Sequence, residues 1–152
     1  MRIFSISDLH IDFEENNSWV QALSLQDFTE DILILAGDIC DDLDKLKNFF
    51  EYITQIFKKI FFVPGNHDLW VIKQPEINSI DKFELINELA RNFSIRTKIE
   101  IIENIALIPI LGWFDYSFGT PDQTTIRRWS DFIACKWPKN YGEKEITKFF
   151  IN

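Results

Sequence analysis

The chain has 152 residues, 46% of them hydrophobic and 15% aromatic, and its 16 Lys and Arg against 24 Asp and Glu leave a formal net charge of −8. So large an apolar share excludes a disordered chain and supplies one packed core. The acidic balance argues against broad nucleic-acid binding, because displacing counterions from phosphates needs clustered Lys and Arg.

Ile3 to Ser7 is short and rich in β-formers and reads as a first strand. Trp19 to Phe28 reads as a helix behind it. Ile32 to Ala36 and Ile60 to Val63 are continuous apolar runs ended by Gly37 and by Pro64-Gly65, the pattern of buried parallel strands. Between them, Leu43, Leu46, Phe49, Phe50, Ile53, Ile56 and Phe57 recur at helical spacing among charges, which predicts an amphipathic helix from Leu43 to Phe57. The opening of the chain is therefore β-α-β-α-β, with right-handed crossovers and parallel strands.

Further on, Ile80 to Phe93 predicts a helix, and Lys98 to Ile102 with Ile105 to Leu111 predict a hairpin around Glu103-Asn104. Asp122 to about Cys135 predicts a helix with start signals in Thr120-Pro121-Asp122, and Glu143 to Asn152 a last one. It closes on Phe149-Phe150-Ile151-Asn152, an apolar ending that a completed domain would cover. No run approaches the roughly 18 apolar residues of a membrane span. Asp8 interrupts the N-terminal apolar run before it could serve as a signal-peptide core, so the expected location is the cytoplasm. Cys40 and Cys135 lie far apart without a CxxC pair and read as two reduced, partly buried thiols.

Three motifs follow the three strands: Asp8-Leu9-His10, Gly37-Asp38-Ile39-Cys40-Asp41 and Gly65-Asn66-His67-Asp68. Ligands of an open α/β sheet bind outside the carboxyl ends of its strands, so the motifs converge in space. Carboxylates, an imidazole and a carboxamide oxygen make a mixed O/N site suited to Mn²⁺, Fe or Zn²⁺, and two-metal phosphoester hydrolysis is its natural chemistry. Gly37 and Gly65 allow sharp turns close to the metals, and Asp41 and Asp68 are placed to orient His67, neighbouring ligands or backbone amides. Arg127 and Arg128 could reach a substrate phosphate but read first as a solvated helix face, and the Trp and Phe residues from Trp113 to Trp137 read as core or crevice wall ahead of a binding platform. Five glycines form neither a GxGxxG nor a GxxxxGK[ST] loop, which disfavours an unrelated nucleotide-binding module.

In this order, and about 30 residues apart, Asp-x-His, Gly-Asp-x-x-Asp and Gly-Asn-His-Asp resemble the first three signatures of the calcineurin-like metallophosphoesterases. Beyond Asp68, Leu111 to Ser117 is similar to the middle of some bacterial members. The resemblance implies an α/β fold, here the N-terminal β-α-β-α-β half of a four-layer α/β/β/α sandwich, with two divalent metal ions and a phosphoester substrate. It implies that Asp8 and His10 ligate the first metal, Asp38 bridges both and Asn66 ligates the second. His67 would contact the phosphate and act as general acid.

The family pattern continues with Gly-His and Gly-His-x-His motifs that supply three further histidine ligands, whereas this chain has 2 histidines in all. Residues 1–152 therefore read as a single, incomplete domain that holds two, one or no ions. Either it is a phosphoester hydrolase that works with one metal or takes its missing ligands from another chain or subunit, or it is a catalytically inactive remnant that binds one metal ion or a partner. A first sheet left uncovered by a second would favour a homodimer.

Overall fold

The computed structural model describes residues 1–119 and 121–151. Strands β1 (Ile3–Ile6), β2 (Ile32–Leu35) and β3 (Lys59–Phe62) form a parallel sheet in the order β1-β2-β3. The register pairs Phe4 with Leu33 and Leu33 with Ile60, and two residues along pairs Ile6 with Leu35 and Leu35 with Phe62. Side chains alternate between faces along a strand, so these six share one face, and all belong to or pack on the hydrophobic core. The other face carries Ile34 and Phe61, which line an apolar cavity with Ala106, Leu107 and Ile108.

Helices α1 (Glu14–Gln21) and α2 (Leu43–Ile53) connect the strands. Asp42 caps α2 by accepting the backbone N–H groups of Asp44 and Lys45 at 3.0 Å each, and Leu46, Phe49, Phe50 and Ile53 are its buried stripe. The helix stops at Ile53 rather than Phe57, although Ile56 and Phe57 remain buried. Apolar residues in the following turn continue the helical spacing without the helix. The first crossover differs more: α1 starts at Glu14, whose charge and that of Glu15 favour a helix N-terminus. Leu23 and Phe28, expected on a helix, instead pack on the core from turns.

Helix α3 (Ser79–Asn92) opens with a capping box between Asn78 and Asp81. Strands β4 (Glu100–Ile102) and β5 (Ile105–Leu107) form an antiparallel hairpin around Glu103-Asn104, with Glu103 at φ +56°. The long helix expected from Asp122 to Cys135 is two: α4 (Gln123–Arg128) and α5 (Ser130–Ala134), separated by an extended Trp129. Asp122 caps α4, while Thr120 of its expected start signal lies outside the described residues.

Helix α6 (Glu143–Ile151) ends the description, and Asn152 lies outside it. Of its apolar close, Phe150 is buried, stacks on Trp113 at 4.9 Å and meets Phe83 at 5.5 Å, and the half-buried Phe149 meets Phe83 at 5.6 Å, whereas Ile151 stays exposed. Around the hairpin Ile101 is 70% and Ile110 is 75% exposed, and other large apolar side chains, among them Phe13, Ile72 and Phe118, are exposed elsewhere. Among the described residues no helix is long and apolar enough to cross a membrane.

Candidate metal centre

The loops after β1 and β2 are joined by backbone hydrogen bonds: Asp8 N–H donates to the Gly37 carbonyl at 3.1 Å, His10 to Asp38 at 3.0 Å and Ile11 to Ile39 at 2.9 Å. Within this ladder Asp8, His10 and Asp38 stand at φ +55°, +41° and +54°. The left-handed region costs an L-residue about 1–2 kcal/mol, so the surrounding structure over-determines three strained residues at one place. The glycine turns interlock beside them. A Cβ on Gly37, itself at φ +79°, would lie 2.4 Å from the Gly65 nitrogen, and one on Gly65 would lie 2.2 Å from Asp38 Oδ1.

The result is a cluster in which donor atoms of Asp8, His10 and Asp38 all lie within 4.8 Å of one another. His10 Nδ1 is buried without a hydrogen-bond partner, a state that costs about 1–3 kcal/mol unless a ligand satisfies the atom. Two carboxylates and an unpaired ring nitrogen are a donor set that fits a divalent cation. Asp38 Oδ1 also accepts the His67 backbone N–H at 2.9 Å, which ties the second motif to the third. Asn66 Nδ2 donates to Asp131 at 2.8 Å, which leaves the Asn66 carbonyl oxygen as its donor atom.

The short 3₁₀ turn His67–Leu69 carries the remaining motif residues. Asp68 is fully buried and accepts four backbone N–H groups, from Asp38 at 2.9 Å, Ile39 at 2.8 Å, Cys40 at 3.0 Å and Gly65 at 2.8 Å. Burial pushes its carboxyl up to about 6 against the opposing pull of those amides. His67 Nε2 faces Asp12 Oδ2 at 3.0 Å, and its ring lies edge-on to His10 at 4.6 Å and to Trp70 at 4.2 Å.

Asp12, Asp41 and His67 form a second cluster, where the Lys73 ammonium donates to Asp12 at 3.1 Å and Asp41 at 2.5 Å. Burial acts to raise the Asp12 carboxyl, but hydrogen bonds from His67 and Lys73 outweigh it and hold it below the usual carboxylate range. Beneath this, the wholly buried Lys82 donates to the backbone carbonyls of Asp41 and Trp70. Burial pulls its ammonium below the usual lysine value. Burial also pushes the Cys40 and Cys135 thiols up to about 12, so both stay protonated.

Sequence reasoning missed Asp12, Lys73, Lys82 and Asp131. Asp12 had a signal, since it extends Asp8-x-His10 by one further step of the same spacing. Lys82 had none, because a lysine in an amphipathic helix reads as surface. Asp131 is buried and accepts Nδ2 of Asn66 and Nε1 of Trp70 at 2.8 Å each, and Nε1 of Trp129 at 3.0 Å. These partners are brought together only by the fold.

The calcineurin-like phosphoesterase family model matches residues 1–150. The chain therefore belongs to the calcineurin-like phosphoesterases, a metal-dependent family. An uncharacterised protein of Acanthamoeba polyphaga mimivirus is 35% identical over 130 residues, covering 77% of this chain and 46% of that protein. The [acyl-carrier-protein] phosphodiesterase PptH of Mycobacterium tuberculosis is 34% identical over 125 residues, covering 76% of this chain and 38% of that one. The chain thus spans less than half the length of these two relatives. The crystal structure of the M. tuberculosis phosphopantetheinyl hydrolase PptH matches with a TM-score of 0.78 at 21% identity, over 95% of this chain and 57% of that one, which establishes the calcineurin-like fold.

Proposed function

We propose that this chain is a cytoplasmic phosphoester hydrolase with a dinuclear centre at the carboxyl ends of β1, β2 and β3. Asp8 and His10 would hold the first ion, Asp38 would be shared between the two, and Asn66 would hold the second. The single observation that carries the reading is the buried, unpartnered His10 Nδ1 beside Asp8 and Asp38. Bound Mn²⁺, Fe or Zn²⁺ supplies Lewis acidity and acidifies water at neutral pH.

The chain's own residues do the rest. His67, oriented by Asp12, gives its proton to the leaving oxygen. Asp68 fixes the amides of the Asp38 turn, and the Asp41 backbone N–H, with the Lys73 ammonium, fixes Asp12. The substrate is a phosphoester. A second copy of the chain is the partner assigned to the exposed isoleucines of the hairpin.

A second reading rests on the 2 histidines of the sequence, both already at the site, which leave no further imidazole for the second ion. It makes the chain a catalytically inactive binder of one metal ion. Equilibrium dialysis against Mn²⁺ followed by elemental analysis separates the two. Two ions per chain, both lost in Asp38→Asn, support the dinuclear hydrolase, whose turnover is then measured on p-nitrophenyl phosphate and its bis-ester. One ion with no turnover above a chelated control overturns it in favour of the inactive binder. Gel filtration over a concentration series tests the second copy: a monomer at all concentrations removes it.

A further inference from the structure

The candidate centre forms one wall of an open cavity of about 390 Å³, whose other wall carries Arg128, Trp129 and Asp131 beside Trp70. The chemistry of the two walls differs. The centre's carboxylates and ring nitrogen are a donor set for cations, and the ammonium of Lys73 is already engaged by Asp12 and Asp41. Arg128 is exposed, and among the described residues its guanidinium has no hydrogen-bond or ion-pair partner. Of the residues lining the cavity it is the one guanidinium, a group suited to a planar, two-point grip on phosphate oxygens.

The wall that carries it is built rather than incidental. Helical spacing runs on through Trp129, yet the backbone there is extended, with φ −78° and ψ 126°. This break ends α4 at Arg128, and Asp131 ties both indole N–H groups and Asn66 together. Two tryptophans held by one buried carboxylate, which also holds a residue of the centre, make a fixed aromatic surface at the site.

We propose that Arg128 is the anion-binding residue of this cavity, and that its substrate is an organic phosphoester whose apolar or aromatic group lies against Trp70 and Trp129. The proposal rests on the phosphoesterase reading above and narrows its substrate. Arg128 holds the phosphate common to all such esters, and the tryptophan wall favours those with an apolar group over small hydrophilic ones.

Calorimetric titration of the Mn²⁺-loaded protein with phenylphosphonate and methylphosphonate, whose C–P bonds the enzyme does not hydrolyse, reads binding without turnover. Phenylphosphonate is expected to bind about threefold tighter or more, from contact with the aromatic wall. Arg128→Gln should weaken both ligands about tenfold, Arg128→Lys should recover part of the loss, and Arg127→Gln should leave both unchanged. Equal affinity for the two phosphonates, or equal behaviour of the Arg128 and Arg127 variants, overturns the proposal. Mn²⁺ stoichiometry, measured on the same samples, distinguishes the two levels. Two ions with no dependence on Arg128 defeat this inference alone. No ions, with Arg128-dependent phenylphosphonate binding that persists in EDTA, defeat the dinuclear reading and leave Arg128 as an anion site.

Discussion

Asp131, on α5, accepts the side-chain N–H of Asn66 at 2.8 Å across 65 residues of sequence. This bond selects which end of the Asn66 carboxamide is free, since the nitrogen is committed and the oxygen is not. Removing the carboxylate in Asp131→Ala frees the amide to rotate and strands two indole N–H groups. Mn²⁺ affinity should fall about tenfold or more, the usual cost of losing a group that orients a metal ligand. Equilibrium dialysis checks it, and unchanged affinity would remove Asn66 from the ligand set.

Asp68 gathers four backbone amides from two different loops, so it acts as a clamp between the second and third motifs. Asp68→Asn is nearly the same shape, but turns an N–H group toward N–H donors. We expect a loss of about 3 kcal/mol, from weakened charge-assisted bonds and an unsatisfied donor. Chemical denaturation should show it as a lower midpoint with an unchanged slope.

Gly65→Ala places a methyl 2.2 Å from Asp38 Oδ1 and 2.7 Å from the Asp38 nitrogen, so the aspartate or its turn must move. Destabilisation of about 1–3 kcal/mol is expected, together with a fall in Mn²⁺ affinity of about tenfold. Gly112→Ala is the control, because a Cβ there meets nothing within 4 Å. Equal thermal and metal-binding behaviour of the two variants would refute the close approach.

The Asp12 carboxyl is held below its ordinary value, burial opposing but the bonds from His67 and Lys73 prevailing. A lowered folded-state value means that the unfolded chain takes up this proton first. The contribution of Asp12 to stability is therefore present above the ordinary value of 3.8 and is lost as pH falls through the lowered folded-state value. Denaturation midpoints measured from pH 7 downward should fall less steeply below about pH 4 for Asp12→Asn than for the unaltered chain. Parallel curves would show that the pair with His67 is absent in solution.

The parallel sheet and the three strand-end motifs are legible in the amino-acid pattern. Ile32 to Ala36 and Ile60 to Val63 are too uniformly apolar to be anything but strands buried on both faces, and in β-α-β topology the residues that follow consecutive parallel strands emerge at one edge. The positions of Asp8, His10, Asp38, Asn66 and His67 at that edge were thus legible from spacing alone. Local periodicity failed where tertiary contacts outweighed it, as at Trp129, whose extended backbone leaves its indole bonded to Asp131, and at Leu23 and Phe28, which reach the core without a helix.

Which polar groups meet depends on how distant segments pack. Lys82 on Asp41 and Trp70, Lys73 between Asp12 and Asp41, and Asp131 on Asn66 join segments 12 to 65 residues apart. A buried polar group needs a partner, but neither spacing nor composition specifies which distant one it finds. The fold also decided that Phe149 and Phe150 are covered, because Phe83 and Trp113 lie within reach of α6 only after the chain has packed.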